Sequence, residues 1–127
     1  MINALTFDIE EYFHAEAFAR VVDPHDWDTL ESRVVSATER ILAILSEART
    51  AATFFVLGWV AERHPQLVRD IQAGGHEVAC HGYGHQMITR LSRSDFAEDA
   101  RRGKAAVEEA AGVSVVGYRA PTFSVVC

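Results

Sequence analysis

The sequence has little cysteine and no long hydrophobic run. Its two cysteines are too few for a disulfide framework. We expect Cys80, which lies in an apolar segment, to be a buried thiol rather than a ligand; Cys127 is the last residue. No basic start followed by a long apolar segment is present, so we expect neither a secretory signal nor a membrane span. These absences favour a cytoplasmic protein.

Positive charge is also scarce, with 12 Lys and Arg against 18 Asp and Glu and a net charge of −6. Proteins that bind nucleic acid neutralise phosphates with clustered cationic side chains, whereas the cations here are scattered. We therefore expect no nucleic-acid partner. The 127 residues are 49% hydrophobic, and they contain no internal repeat or low-complexity segment. This composition predicts one globular domain over residues 1–127, and it gives no indication of an oligomeric state.

Short apolar runs alternate with helical patterns along the chain. The predicted strands cover residues 3–10, 51–57, 76–81 and 114–121. The predicted helices cover residues 29–48, 59–75 and 92–112. Pro65 is expected to begin a helical segment and Gly74–Gly75 to end it, while Ser94 and Gly112 are expected to be the N-cap and the stop of the last helix.

The alternation of strands and helices is typical of βαβ units and predicts an α/β fold with a parallel sheet. The strands are nearly continuous apolar runs, which indicates that both faces of the sheet are covered. The final run "TFSVVC" has no turn or polar cap. A sheet that ended there would leave an exposed edge, so we expect the chain to be the first part of a longer domain.

Polar side chains follow three of the predicted strands at their carboxyl ends, which open on the same rim of a parallel sheet. The first strand delivers acids, the third delivers imidazoles, and the fourth delivers a guanidinium followed by proline. These residues are Asp8, Glu10, Glu11, His81, His85, Arg119 and Pro121. The rim is therefore the predicted functional site.

The spacing of these residues is compatible with a metal site, and equally with strand-end carboxylates that cap the next segment and an arginine that forms a salt bridge. Side chains two apart on a strand share a face, so Asp8 and Glu10 project together and Glu11 turns away. Two ionised carboxylates repel each other in an apolar surround unless a cation binds one of them. The pair His81 and His85 would be weak evidence alone, but neutral imidazoles suit zinc. One carboxylate and two imidazoles leave coordination positions open, as in catalytic sites.

Three ordered segments resemble the polysaccharide deacetylase family of carbohydrate esterases. They are "TFDIEEYFH", "ATFFVLGWVAERHPQLVRDIQAGGHEVACHGYGH" and "GYRAPTFS". The resemblance is closest to the branch associated with bacterial exopolysaccharide and exosortase genes. It implies a distorted (β/α) barrel, about half of which this chain would form. It also implies metal-dependent removal of acetyl groups from an N-acetylated glycan.

The resemblance implies roles for the acids of the first motif and the histidines of the second. Asp8 is similar to the catalytic base, and Glu10, His81 and His85 are similar to the metal ligands. Many members carry the ligand directly after the base, where this chain has Ile9. Glu10 is therefore the expected ligand, as in the Asp-x-Asp/Glu members, and Glu11 is the second candidate.

The third motif supplies the arginine and the loop. Arg119 resembles the arginine that pairs with the base, Pro121 shapes the substrate loop, and the Thr122 N–H is the expected oxyanion donor. The family's general acid belongs to a later motif, so we expect this chain alone to deacetylate poorly. His14 is the nearby histidine that could substitute for that acid.

Two other functions remain open at this stage. The Asp-x-Glu motif also resembles related amidohydrolases that act on small cyclic amides or ureides. A non-catalytic fragment that binds metal without turnover is the third alternative. Comparing activity on N-acetylglucosamine oligomers with activity on small cyclic amides separates the deacetylase from the cyclic amidohydrolase. Any turnover excludes the non-catalytic fragment.

Overall fold

The computed structural model describes residues 3–125, and its centre is a three-stranded parallel sheet. The strands are β1 (Thr6–Ile9), β2 (Thr53–Val56) and β3 (Glu77–Cys80), and β2 lies in the middle. Asp8 is paired with Phe55, and Phe55 is paired with Ala79. The parallel sheet predicted from the alternation of elements is therefore present.

Four α-helices connect and cover the strands. They are α1 (Val34–Ala48), α2 (Gly58–Arg63), α3 (Pro65–Ala73) and α4 (Arg93–Ala111). The predicted helix 29–48 begins only at Val34, and the predicted helix 59–75 is two helices. His64 breaks it with φ −127° and ψ 56°, because the ring of Pro65 disfavours helical backbone at the residue before it. None of the described helices is long and apolar enough to cross a membrane.

The N-cap of α4 is Ser92, and the prediction of Ser94 is wrong. The Ser92 hydroxyl accepts a hydrogen bond from the Asp95 N–H at 3.1 Å and donates to the Asp95 carboxylate at 2.7 Å. An N-cap hydroxyl accepts a hydrogen bond from the backbone N–H two or three residues later, and for Ser92 that residue is Asp95. Gly112, with φ 70°, ends α4 as predicted.

The predicted fourth strand, 114–121, is not a continuous strand. One parallel bridge joins Tyr118 to Cys80, with the Arg119 N–H donating to the Cys80 carbonyl at 2.9 Å. Earlier in the segment, the Val115 N–H donates to the Glu108 side chain at 2.8 Å, so α4 takes a donor that a strand would use. Val116 is 89% exposed, which differs from the covered strand that the apolar pattern predicts. The bridge nevertheless brings Arg119 to the sheet.

The two faces of the sheet differ in chemistry. One face carries apolar side chains that join the core with residues of α2, α3 and α4: Phe7, Ile9, Phe54, Val56, Val78 and Cys80. The alternate strand positions put Thr6, Asp8 and Phe55 on the opposite face. Asp8 and Phe55 remain partly exposed, so the expectation that both faces are fully covered does not hold for the described residues. The polar face positions the site.

Candidate active site

Glu10, His81 and His85 come together at the carboxyl ends of β1 and β3. Glu10 Oε2 lies 2.8 Å from His85 Nε2 and 3.6 Å from His81 Nε2. One potential ligand atom from each residue lies within 4.8 Å of the other two. Although it is close to both rings, the buried Glu10 Oε2 has no hydrogen-bond partner among the described residues. Three potential ligand atoms at such short distances could hold a cation.

A hydrogen bond fixes the tautomer of His81. Its Nδ1 lies 2.8 Å from the Arg119 carbonyl oxygen, which can only accept, so Nδ1 carries the proton. The other ring nitrogen, Nε2, faces the carboxylates of Glu10 and Asp8. Metal-binding histidines commonly donate their other ring N–H to a carbonyl or carboxylate in this way. His81 is 1% exposed, so its orientation is held by the surrounding structure.

The protonation state of Glu10 also suits a cation. Burial raises the pKa of this carboxyl, but the neighbouring imidazoles of His81 and His85 oppose the effect and bring the pKa to about 2. Glu10 is therefore ionised at neutral pH. One carboxylate and two imidazole nitrogens form a donor set that zinc binds well, with a position left for water or substrate. The residues present fit the metal that the sequence predicts.

The loop that carries both histidines is fixed by Asp99 of α4. The Asp99 carboxylate accepts hydrogen bonds from the Tyr83 N–H at 3.0 Å and from the Gly84 N–H at 3.3 Å. His85 follows directly with a φ of 54°, an unfavourable backbone conformation for a non-glycine residue. Such a conformation persists only where neighbouring contacts impose it, and Asp99 provides two of them.

Gly103 allows α4 to approach this loop. A Cβ at Gly103 would lie 2.6 Å from the carbonyl carbon and oxygen of Gly82, a distance that forces one of them to move. On the other side, the Gly58 N–H at the start of α2 donates to the Gly82 carbonyl at 2.9 Å. Neither Asp99 nor Gly103 is among the residues that the sequence predicts for the site. A glycine inside a helix costs stability, and that cost was the available signal of a close backbone approach.

We expect Asp99→Ala to weaken zinc binding although Asp99 does not reach the metal position. Loss of the carboxylate leaves two loop N–H groups without acceptors and releases His85. Residues that orient ligands typically change metal affinity by about 10–100-fold when they are lost. Competition titration against a chromophoric chelator measures the change, with Asp95→Ala on the same helix as the control. Equal zinc affinity of Asp99→Ala and the parent would show that the loop holds its shape without Asp99.

Asp8 and Arg119 form an ion pair beside the three ligand residues. Arg119 Nη1 donates to Asp8 Oδ1 at 2.6 Å, and Nη2 donates to the Thr6 hydroxyl at 2.9 Å. The guanidinium also lies over the Phe55 ring, 4.0 Å from its centroid. Asp8 Oδ2 points to the other side and lies 3.9 Å from His81 Nε2. Arg119 thus holds one carboxylate oxygen of Asp8 and leaves the second beside His81.

Pro121 and Thr122 lie in a strained turn after Arg119. Pro121 is buried, while Thr122 and Phe123 have φ values of 56° and 50°. A β-branched residue in this region is an outlier, and such residues are concentrated at functional sites. The N–H groups of Phe123 and Ser124 are hydrogen-bonded within the turn, but the Thr122 N–H has no acceptor among the described residues. It is therefore available as a donor to a substrate.

Glu11 is not part of the ligand cluster. Its side chain is 1% exposed and accepts hydrogen bonds from the Arg33 N–H at 2.9 Å, from the Val34 N–H at 3.2 Å and from the Ser32 hydroxyl. A carboxylate at this position satisfies free N–H groups at the start of α1 and complements the helix dipole. Glu11, the second candidate for the ligand, thus caps α1 with its carboxylate.

His14 is buried and neutral, which argues against a role as a cationic general acid. Its Nδ1 accepts a hydrogen bond from the Glu11 N–H at 3.0 Å, so the neutral ring carries its proton on Nε2. Burial is the main cause that lowers the pKa of His14, Glu10 opposes it, His85 and Arg63 add to it, and the resulting pKa is about 3. At neutral pH, His14 can donate a hydrogen bond but holds no acidic proton of the imidazolium type.

The low pKa of His14 predicts a loss of stability in acid. The unfolded chain takes up the proton near pH 6.5, whereas the folded chain does so only near pH 3. The free energy of unfolding should therefore fall as the pH falls between these values, by up to about 1.4 kcal/mol per unit. Urea unfolding of the metal-free protein from pH 7 to 4 measures this slope. We expect a shallower slope in His14→Asn, which keeps an acceptor for the Glu11 N–H. Parallel pH curves would contradict a neutral, buried His14.

Comparison with known protein families shows the family to which the chain belongs. The family model described as "Polysaccharide deacetylase" matches residues 3–125. The chain belongs to the polysaccharide deacetylase family. The resemblance found in the three sequence motifs is confirmed, while the assignment to the exopolysaccharide branch stays a prediction.

Individual members of the polysaccharide deacetylase family agree with this assignment. The chain is 39% identical over 85 residues to a chitooligosaccharide deacetylase of Sinorhizobium fredii, covering 66% of this chain and 40% of that protein. It is 31% identical over 67 residues to a peptidoglycan-N-acetylglucosamine deacetylase of Bacillus cereus, covering 53% and 32%. The structure of peptidoglycan deacetylase PdaC from Bacillus subtilis superposes with a TM-score of 0.73 at 25% identity.

The PdaC match covers 97% of this chain and 50% of that one, so the chain spans half or less of the length of these three relatives. The parallel sheet with its helices is a partial form of the deacetylase barrel, as the resemblance implied. The fold prediction is confirmed at this level. The activity, the substrate and the metal require separate arguments.

Proposed function

We propose that this chain carries the metal site and the base of a hydrolase that removes N-acetyl groups from an amino-sugar glycan. The observation that carries the proposal is the juxtaposition of two sets of residues. Glu10, His81 and His85 form a set that could hold a cation, and the Asp8–Arg119 pair lies beside it with Asp8 Oδ2 not bonded to Arg119. Metal-dependent amide hydrolysis combines a Lewis acid with a positioned base.

The metal would be held by Glu10, His81 and His85, and zinc is the ion that this donor set favours. When bound, it would supply Lewis acidity for activation of water and polarisation of the amide carbonyl. We propose zinc from the chemistry of the ligands, since burial, the absence of hydrogen bonds at Glu10 Oε2 and the fixed tautomer of His81 all support a borderline divalent cation.

The residues around this set divide the remaining work. Asp8 Oδ2 would accept a proton from the attacking water, while Arg119 holds Oδ1 and stabilises the carboxylate. The Thr122 N–H would donate to the oxygen that becomes negative as the carbonyl is attacked. Pro121 lies near Gly82: a Cβ placed on Gly82 would be 3.8 Å from Pro121 Cγ. The turn that contains Thr122 is therefore next to the loop that carries His81 and His85.

The names of the relatives support a glycan substrate over a small cyclic amide. The two curated proteins compared above are described as deacetylases of chitooligosaccharide and of N-acetylglucosamine in peptidoglycan. No contact in the described residues favours a cyclic amide or ureide in particular, so that alternative rests on the Asp-x-Glu motif alone. A fragment that binds metal without turnover is the remaining alternative.

Acetate release from N-acetylglucosamine oligomers tests this proposal. We expect slow, zinc-dependent release by the parent that a chelator abolishes, with no reaction on small cyclic ureides. Since the resemblance assigns the general acid to a later motif, the expected rate of residues 1–127 alone is about 10²–10⁴-fold below that of a full-length relative. Asp8→Asn should remove the residual rate but keep the zinc. Preferential hydrolysis of the cyclic ureide would support the second alternative, and no release above the metal-free control would support the third.

A further inference from the structure

The backbone of Arg119 is held from both sides. Its N–H donates to the Cys80 carbonyl at 2.9 Å, and its carbonyl accepts a hydrogen bond from His81 Nδ1 at 2.8 Å. These contacts fix where the side chain begins, but they leave the direction of a long and flexible side chain open. Two further neighbours, Phe55 and Thr6, contact the guanidinium itself and set its position.

Phe55 supports the flat face of this guanidinium. It is paired with Asp8 across β1 and β2, so the two side chains project from the same face of the sheet. Arg119 Cζ lies over the Phe55 ring, 4.0 Å from its centroid, which is within the range of a cation–π contact. The aromatic ring therefore keeps the guanidinium next to the sheet and beside Asp8.

Thr6 restricts the contact between Arg119 and Asp8 to one carboxylate oxygen. Arginine frequently binds a carboxylate through two parallel N–H···O bonds, which occupy both oxygens. Here Nη1 donates to Asp8 Oδ1 at 2.6 Å, whereas Nη2 donates to the Thr6 hydroxyl at 2.9 Å. Thr6 and Asp8 are two residues apart on β1, so their side chains share a face and one guanidinium reaches both. Asp8 Oδ2 consequently accepts no hydrogen bond from Arg119 and faces His81 Nε2 at 3.9 Å.

We propose that Thr6 is a positioning residue of the active site, whose hydroxyl holds Arg119 Nη2 and thereby keeps Asp8 Oδ2 free to act as the base. The inference rests on the proposed function, since it takes Asp8 as the base. Without the hydroxyl, Nη2 loses its acceptor, and a planar guanidinium already bonded to Oδ1 reaches Oδ2 by turning in its own plane. An oxygen engaged in such a charge-assisted hydrogen bond is no longer free to receive the proton of the attacking water.

Crystal structures of Thr6→Val and Thr6→Ser test this geometry directly. Valine has nearly the shape of threonine but offers no acceptor, whereas serine keeps the hydroxyl. In Thr6→Val, we expect Arg119 Nη2 to move to Asp8 Oδ2 and to lie at about 2.7–2.9 Å from it, the usual length of a charge-assisted bond. In Thr6→Ser, Nη2 should stay on the hydroxyl and Oδ2 should stay free. An Arg119 that leaves Oδ2 free in Thr6→Val would overturn the inference.

Acetate release by the zinc-loaded variants tests the consequence for the reaction. Thr6→Val should lower kcat by at least about tenfold, because an occupied base forfeits part of the 10²–10⁴-fold that general base catalysis supplies. Its KM and its zinc affinity should stay close to those of the parent, and Thr6→Ser should restore most of the rate.

Thr53→Val is the matched control for Thr6→Val. Thr53 is paired with Thr6 on the neighbouring strand, and its hydroxyl donates to Glu77 rather than accepting from Arg119. This variant should react as the parent does. Equal kcat of Thr6→Val and the parent, or equal losses in Thr6→Val and Thr6→Ser, would contradict the role of the hydroxyl. The crystal structures judge the position of Arg119 without any turnover, so a parent that releases no acetate would count against the proposed function alone.

Discussion

Replacing His81 and His85 together with alanine should lower the zinc affinity by far more than 100-fold. The reason is that both imidazoles are removed from a three-residue set whose ligand atoms lie within 4.8 Å of one another. Changes in residues that merely orient a ligand cost about 10–100-fold, so the loss of two direct ligands must exceed that range. The measurement is a competition titration with a chelator of known affinity.

His25→Ala is the control for this double variant, because His25 is exposed and lies in the 12–30 loop. It should bind zinc as the parent does, which shows that a missing histidine alone does not change the assay. If the His81→Ala/His85→Ala variant bound zinc as tightly as the parent, the metal would have to be held elsewhere and the assignment of the site would be wrong.

Glu10→Gln should chiefly weaken zinc binding, whereas Glu11→Gln should chiefly destabilise the fold. Glu10→Gln should weaken zinc binding by at least about 10–100-fold, because an amide oxygen replaces the only carboxylate of the ligand set. Glu11→Gln should leave zinc affinity nearly unchanged but destabilise the fold by about 1–3 kcal/mol, since an amide replaces a buried acceptor of three hydrogen bonds at α1.

Zinc titration and urea unfolding of both variants separate the two roles, and each variant is the control of the other. The reverse pattern, with zinc lost in Glu11→Gln and kept in Glu10→Gln, would make Glu11 the ligand. It would also require a shift of one residue in the register of β1, because a strand turns adjacent side chains to opposite faces.

The residues of the candidate site could be located from the sequence because they follow strands of a parallel sheet. Asp8, Glu10 and His81 stand at or just after strand ends, and the carboxyl ends of such strands meet on one rim. The period of two along β1 places Glu10 beside Asp8 and turns Glu11 away. These features depend on local pattern and on topology, both of which a sequence expresses directly.

The support of the site could not be predicted in the same way. Asp99 lies more than ten residues beyond the histidine loop, and an acid within an amphipathic helix has the pattern of a solvated surface residue. Glu11 caps a helix that begins 23 residues later in the chain. Such contacts depend on how α1 and α4 pack against the loops, and no local periodicity reports that packing.

The fourth strand shows where an apolar pattern was misleading. The run from Ser114 to Pro121 has the composition of a buried strand, but only Tyr118 forms a bridge to β3. The hydrogen bond from the Val115 N–H to Glu108 competes with strand pairing, and an apolar run does not reveal such a competitor. Strand propensity is strongly dependent on context for this reason.

Anomalous X-ray scattering at the zinc edge is the most direct test of the central claim that Glu10, His81 and His85 form a catalytic metal site. Crystals of the chain grown with zinc should give one strong peak between Glu10 Oε2, His81 Nε2 and His85 Nε2, with the Asp8 carboxylate beside it but bonded to Arg119. A peak bounded by other side chains, or no peak at this cluster at saturating zinc, would contradict the account.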